Sequence, residues 1–366
     1  METRSLAIAA LAALVAFWFA GPATLHDEDL SIPTTLTRTL SPQEIDEYRR
    51  DGVVKVEGVV AHFEHEMNAL LDIMDHRPPF ACVYQSFIFH LIVHKLINAT
   101  NFGRGADVLC SDASVMFQEV DDIIFKSAIG SIAAQLLGTS HIRLDHAPLM
   151  RFDGSSLTPW HTDEIGAFLT NGTGLVVWIP FQPSTPDTDG LKFIAGSHKF
   201  PASSVMPSFC NAELPGYCME EIGKRQEEDP TKKVLTYDLK VGDAIFFDKS
   251  TMHASTGLNM SPRHSLQIRL FGAGDDVKSA YFKNVKGAAY GVPYGLHDDR
   301  ANTFRFPQIY PNIQTNEFAK RIAYKTSSGL VDKVKYLFDM ARVSIDSFRQ
   351  NQEVDHFCSD RKCFRG

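Results

Sequence analysis

From about residue 140 to residue 272 the chain consists of short apolar runs punctuated by turns, with no helical pattern between them. The runs are Ile142 to Leu144, Ala167 to Leu169, Leu175 to Ile179, Leu191 to Ile194, Ala244 to Phe247 and Ser265 to Phe271. Strands this short, following one another without intervening helices, predict an antiparallel β-sandwich or barrel. The class is therefore mainly β.

Helical spacing occurs on both sides of that stretch. Ser41-Pro42-Gln43-Glu44 has an N-cap serine, proline at the first helical position and glutamate three residues after the cap, which predicts a helix ending near Asp51-Gly52. A strand-like Val53 to Val56 follows. Phe63, Met67, Leu70, Leu71 and Met74 predict a second helix closed by Pro78-Pro79, and Val120, Ile123, Ile124, Ile132 and Leu136 predict helix up to Gly138. Residues 80 to 113 follow neither period. After residue 315 helical spacing returns through Ile322, Val331, Val334, Leu337 and Met340. The organisation expected is a helical buttress over 40–139, a β core over 140–275 with an inserted loop at 200–235, and a helical extension over 315–366. A chain of 366 residues has room for two domains, but these patterns describe one core with additions at both ends.

Residues 6 to 20 are uninterrupted apolar sequence, preceded by Arg4 and followed by Gly21-Pro22-Ala23. This reads as a signal peptide over 1–23, because the run is shorter than the roughly 20 residues that span a bilayer. Left uncleaved it is an anchor, the only expected route to membrane association. The address expected is the secretory pathway, either the endoplasmic reticulum lumen or the exterior, with a plastid-type organelle as the alternative. Asn98 and Asn171 head glycosylation sequons, and in an oxidising lumen the candidate disulfides are Cys210 with Cys218, Cys358 with Cys363 and Cys82 with Cys110. With 44 acidic residues against 36 basic ones there is no excess of positive charge to hold a polyanion, so nucleic acid is not an expected partner.

Chemistry concentrates in the β core. Trp160-His161-Thr162-Asp163 sets an imidazole and a carboxylate two residues apart, and on a strand such positions share a face. His253, after the run Ala244 to Phe247 and a short turn, is the candidate third ligand. Two histidines and one carboxylate, with other positions open, form the site type of non-haem iron(II) oxygenases. Beyond it, alternation along residues 263 to 270 places Leu266, Ile268 and Leu270 on one face and Arg263, Ser265, Gln267 and Arg269 on the other. Arginine beside a hydroxyl makes a clamp for a carboxylate, through a bidentate fork and an added donor.

These segments together resemble the phytanoyl-CoA dioxygenase family of iron(II)- and 2-oxoglutarate-dependent oxygenases. The resemblance runs through Leu40 to Val60, His161-Thr162-Asp163, Val177 to Phe181, Gly190 to His198, Gly242 to Asp248, and His253 to Arg269. It implies a double-stranded β-helix, or jelly-roll, core. It implies that His161, Asp163 and His253 hold Fe(II), and that Arg263, assisted by Ser265, binds the distal carboxylate of 2-oxoglutarate. The cosubstrates implied are 2-oxoglutarate and O2, with ascorbate as a reductant. His253 to Arg263 is ten residues, one fewer than the family's commoner interval, which puts His264 where an arginine is sought; Arg263 is preferred because Arg-x-Ser makes the better clamp. Arg151, Trp160, Thr162, Trp178, Asn259 and Arg269 are candidate cosubstrate or substrate contacts. Asn259 also begins a sequon, but it falls in a loop against the site, where a glycan would block access.

The function implied is oxidation of an unactivated C–H bond of a small organic substrate, by hydroxylation, desaturation or ring closure, coupled to conversion of 2-oxoglutarate to succinate. A catalytically silent jelly roll that binds a ligand and a side-chain hydroxylase of the secretory pathway are the alternatives. Asp163 occupies the coordination position that a halogenase leaves to halide. His62 with His65 and His90 with His94 have helical metal-binding intervals but no third partner in sequence, so solvated or core histidines are expected there. Nothing in the chain matches a phosphate-binding glycine loop or a dinucleotide fingerprint.

Overall fold

The computed structural model describes residues 36–79, 82, 83, 86, 108–110, 113–152, 158–163, 174–188, 190–200, 219–256, 262–272 and 308–311. The apolar run at 6–20, the expected strand at 167–169, Asn98, Asn171, Asn259, Cys210, Cys218, Cys358, Cys363 and the stretch after 315 lie outside the described residues. Among those described, no helix is long and apolar enough to cross a membrane.

Helix α1 (Pro42–Asp51) starts at the capping box: Glu44 N–H donates to Ser41 Oγ at 3.2 Å, and Ser41 N–H donates to the Glu44 carboxylate at 2.7 Å. It stops at Gly52, whose φ of 79° favours glycine and where a Cβ would lie 2.3 Å from His198 Nδ1. Strand β1 (Val53–Val56) follows, then a single 3₁₀ turn and helix α2 (Glu64–His76), which buries Met67, Leu70 and Met74. Strand β2 (Val108–Cys110) leads to a short helix α3 (Ala113–Met116), then α4 (Gln118–Lys126) and α5 (Ile129–Leu137). The apolar period through Ile124 and Ile132 is thus divided between two helices. Ser127, extended at the end of α4, accepts the Ile129 N–H on its hydroxyl and restarts the helix.

The larger sheet adds β3 (Ile142–His146), β4 (Leu149–Phe152), β5 (Gly174–Pro180), β8 (Ala244–Asp248), β10 (Arg263–Gly272) and β11 (Gln308–Tyr310). Its order is β1-β8-β5-β10-β3-β11, with β4 pairing both β10 and β2, and every pairing is antiparallel. β3 and β4 lie end to end along β10. Between them Pro148 breaks the pairing and offers only its carbonyl, which accepts the Gln267 N–H at 3.0 Å. A smaller antiparallel sheet runs in the order β7 (Val234–Thr236), β6 (Leu191–Ile194), β9 (His253–Ser255).

Two cores result from the two faces of the larger sheet. Leu175, Val177, Ile179, Phe246, Leu266, Ile268 and Leu270 face the helices and pack with Met67, Leu70, Ile123, Ile124 and Ile132. On the opposite face Val53, Val176, Trp178, Ile245 and Phe247 meet Leu191 and Phe193 of the smaller sheet. Two antiparallel sheets closed over this second core form the mainly β architecture expected of a jelly roll.

The larger sheet extends beyond residues 140–275 on both sides. β1 pairs with β8, β2 with β4 and β11 with β3, because the edges of the core strands are completed by chain from outside that range. Residues 200–235 are not wholly loop either. Helix α6 (Met219–Glu228) and β7 fall there; Ile222 and Gly223 face the smaller sheet, while the charge run Lys224 to Asp229 lies largely on the outside. Cys82 and Cys110 are joined as a disulfide, with the Cys110 sulfur 3.7 Å from that of Met74 in the helical layer.

Candidate metal and cosubstrate site

His161 and His253 come together through backbone pairing. Each donates its N–H to the other's carbonyl at 3.0 Å, and Thr158 and Ser255 continue the ladder, so residues 158–161 lie along the edge of β9. The two rings stand 4.1 Å apart, centre to centre. Asp163 does not continue a strand. It sits in a bend held by its N–H to the Lys249 carbonyl at 2.8 Å, so the expected shared strand face becomes a ladder end plus a bend. The ligand atoms of His161, Asp163 and His253 all lie within 4.8 Å of one another, and all three residues are buried.

Neighbouring groups select which atoms are offered. His161 Nδ1 is 2.8 Å from the Pro159 carbonyl and His253 Nδ1 is 3.0 Å from that of Thr251. A carbonyl can only accept, so each Nδ1 carries the proton and each Nε2 presents its lone pair. Burial, reinforced by His161 alongside, pushes the His253 imidazole down to about 3, so it is neutral at physiological pH. Asp163 Oδ2 lies 3.7 Å from His253 Nε2 and accepts from Gln267 Nε2 at 3.1 Å, while Oδ1 accepts from Arg269. Two imidazole Nε2 atoms and a carboxylate, all on buried residues, form a donor set that fits a divalent transition-metal ion.

β10 supplies the polar wall. Arg263, Ser265, Gln267 and Arg269 alternate with the residues packed on the helices, as the sequence predicts. Arg263 is buried and donates from Nη1 to Ser255 Oγ at 3.3 Å; Ser255 lies two residues beyond His253 in the same strand. Ser265 is fully buried, its hydroxyl without a hydrogen-bond partner among the described residues. His264 points to the opposite face, where its Nε2 lies 2.8 Å from Asp75 of α2. The ten-residue interval therefore leaves Arg263, not His264, on the face of the metal ligands.

Two expected contacts, Arg151 and Trp160, lie elsewhere, and a third, Arg269, lies against a candidate metal ligand. Arg151 stands opposite His264 in the β4–β10 register and pairs with Asp75 at 2.7 Å, on the helical side of the sheet, because antiparallel partners share a face. Trp160 packs on the outside of the smaller sheet with Ile194, Met252 and Ala254, and its indole N–H donates to Glu227 at 3.1 Å. Arg269 reaches Asp163. Thr162 is buried between the ligands, and Trp178 lies between the sheets opposite Gln267. Sequence reasoning did not identify Ser255 and Gln267 as site residues. Their signal was parity: each lies an even number of residues from a residue already assigned.

Residues 48–265 match the phytanoyl-CoA dioxygenase (PhyH) family. A comparison with curated proteins finds no match. Among solved structures, the non-heme alpha ketoglutarate dependent epimerase SnoN from nogalamycin biosynthesis is 21% identical, covering 73% of this chain and 97% of its own, with a TM-score of 0.49. The carbocyclase SnoK from the same biosynthesis is 19% identical, covering 66% and 87%, with a TM-score of 0.48. EctD from S. alaskensis is 16% identical, covering 67% and 86%, with a TM-score of 0.47. The match at 48–265 takes in more than half of the chain and all three candidate ligands, and the chain belongs to the phytanoyl-CoA dioxygenase family.

Proposed function

We propose that this chain is an iron(II)- and 2-oxoglutarate-dependent dioxygenase that oxidises an unactivated C–H bond of a small organic substrate, by hydroxylation, desaturation or ring closure. The observation that carries this reading is the buried convergence of His161, Asp163 and His253 beside the Arg263–Ser265 face of β10. In this reading His161 Nε2, Asp163 and His253 Nε2 hold the iron. When bound, the metal supplies activation of dioxygen coupled to decarboxylation of 2-oxoglutarate to succinate. Arg263 takes the distal carboxylate through its planar fork, and the Ser265 hydroxyl, unpartnered among the described residues, adds a donor. Ser255 holds the Arg263 guanidinium in place before the cosubstrate arrives. The carbonyls of Pro159 and Thr251 keep both imidazoles aimed without needing the metal.

The test is substrate-stimulated succinate release by protein reconstituted with Fe(II) and ascorbate. Asp163→Gly is expected to abolish it, and succinate release at the wild-type rate in that variant would overturn the ligand assignment. A secretory-pathway address belongs to the same proposal, favoured by the apolar run at 6–20 and the Cys82–Cys110 bond. Translation in the presence of microsomes should then give protease-protected chain; chain that remains fully digestible argues for another compartment.

A further inference from the structure

We propose that Thr251 is a positioning residue for the candidate metal ligands: its hydroxyl ties the loop that holds them to the carbonyl of Gly52, at the end of α1. This rests on the proposed function and deepens it.

Residues 249–252 join β8 to β9, and two of their carbonyls hold ligand residues. The Lys249 carbonyl accepts the Asp163 N–H at 2.8 Å, and the Thr251 carbonyl stands 3.0 Å from His253 Nδ1. His161 is attached to the same loop at one remove, through its paired backbone bonds to His253. Groups bonded to a ligand residue fix where that ligand points, so the place of this short loop governs all three.

The loop has no regular structure of its own, and its place depends on what grips it from outside. Thr251 is fully buried, and its hydroxyl donates to the Gly52 carbonyl at 2.9 Å. The same carbonyl accepts the Asp248 N–H at 2.8 Å, where β8 ends. Gly52 is itself held, because the Gly196 N–H donates at 2.8 Å to the carbonyl just before it, that of Asp51. Glycine is needed there for its φ of 79° and for the approach of the hydroxyl, since a Cβ would stand 2.5 Å from Thr251 Oγ1. On the other side of the loop Ser197 Oγ accepts the Met252 N–H at 2.8 Å, and the Met252 carbonyl accepts the Ile194 N–H at 3.0 Å. Three segments from distant parts of the chain thus interlock behind His253. Threonine hydroxyls readily bond carbonyls three or four residues back, yet this bond spans 199 positions. It therefore locates the loop against α1 as well as satisfying a buried hydroxyl.

The experiment is titration of the full chain with Co(II), read by calorimetry and by the cobalt d–d absorption, in Thr251→Val, Thr251→Ser and Ser131→Ala beside the wild type. Valine keeps the shape of threonine and leaves the Gly52 carbonyl its bond from Asp248, so this variant is expected to fold. It is expected to bind Co(II) about 3- to 10-fold more weakly, the range spanned by one buried hydrogen bond, and to shift the d–d band. Thr251→Ser, which retains the hydroxyl, is expected to bind as the wild type does with the wild-type band. Ser131→Ala removes a buried hydroxyl that accepts the Arg38 N–H in the helical layer, and is expected to lower the urea midpoint without moving either cobalt readout. Wild-type affinity and band in folded Thr251→Val overturn the inference. So does a Thr251→Ser variant as weak as Thr251→Val, which would put the effect on shape rather than on the hydroxyl, and so does equal weakening in Ser131→Ala, which would mark general loosening. If Thr251→Val fails to fold, Thr251→Ala against Thr251→Ser carries the same test, the pair differing by the hydroxyl alone and alanine being expected to bind more weakly. Equal Co(II) binding by wild type and Asp163→Ala would instead overturn the proposed function beneath it, whatever Thr251 does.

Discussion

Two backbone carbonyls decide what the histidines of this site can do, because Pro159 and Thr251 each take an Nδ1 proton and leave Nε2 as the donor. Burial then keeps His253 neutral in the folded protein down to about 3, whereas in the unfolded chain it protonates near its ordinary 6.5. Protons therefore bind the unfolded chain more readily. The stability contributed by neutral His253 is complete above about pH 6.5 and is lost as pH falls toward 3. Denaturant titrations of the metal-free protein at falling pH should show falling midpoints across that window, with a shallower slope in His253→Gln. Parallel slopes would rule out the neutral, buried imidazole. Ser255 allows a second prediction at this scale. Its hydroxyl accepts from Arg263, so Ser255→Ala should raise the KM for 2-oxoglutarate about 3- to 10-fold, the worth of one hydrogen bond, with kcat nearly unchanged. An unaltered KM would remove Ser255 from the site.

At the scale of elements, α6 covers the outer face of the smaller sheet where sequence reasoning expected loop. Its Gly223 lies against Trp160, the residue next to His161, so closely that a Cβ would stand 2.2 Å from Trp160 Cγ. The obstruction is the fixed base of the indole, not a mobile side-chain end. Gly223→Ala is therefore expected to cost about 1–3 kcal/mol by overpacking, despite its better helix propensity. Urea unfolding would measure this, and a stabilised variant would show that α6 does not rest on Trp160. The elements differ in how far they could be read in advance, for a physical reason. α1 was legible because a capping box and a left-handed glycine act within a few residues of each other. α6 was obscured by its charge run, and β9 is three residues long, so that its partners in β6 and at His161, rather than any period of its own, make it a strand.

At the scale of the molecule, the N-terminal segment is part of the sheet that carries the site. β1 pairs with β8 through four residues, and Val53 packs with Phe247 and Phe193 between the sheets. A chain starting after residue 57 would leave the edge of β8 unpaired and that core open. It is expected to lose cooperative thermal unfolding and near-ultraviolet circular dichroism; a truncated chain that unfolds cooperatively would make β1 an accessory. The amino-acid sequence by itself determined what is local or periodic: the start and stop of α1, the two-residue alternation that puts Arg263, Ser265, Gln267 and Arg269 on one face, and the identity of the three ligands as residue types. Only the tertiary structure decided which of those residues meet. Arg269 and Asp163 are 106 positions apart, His264 and Asp75 are 189 apart, and Arg151 pairs across the sheet on the face away from the metal ligands. Alternation fixes a side chain's face but not its partner, because the partner is set by strand register and by how far the two sheets lie apart, and both depend on the whole chain having folded.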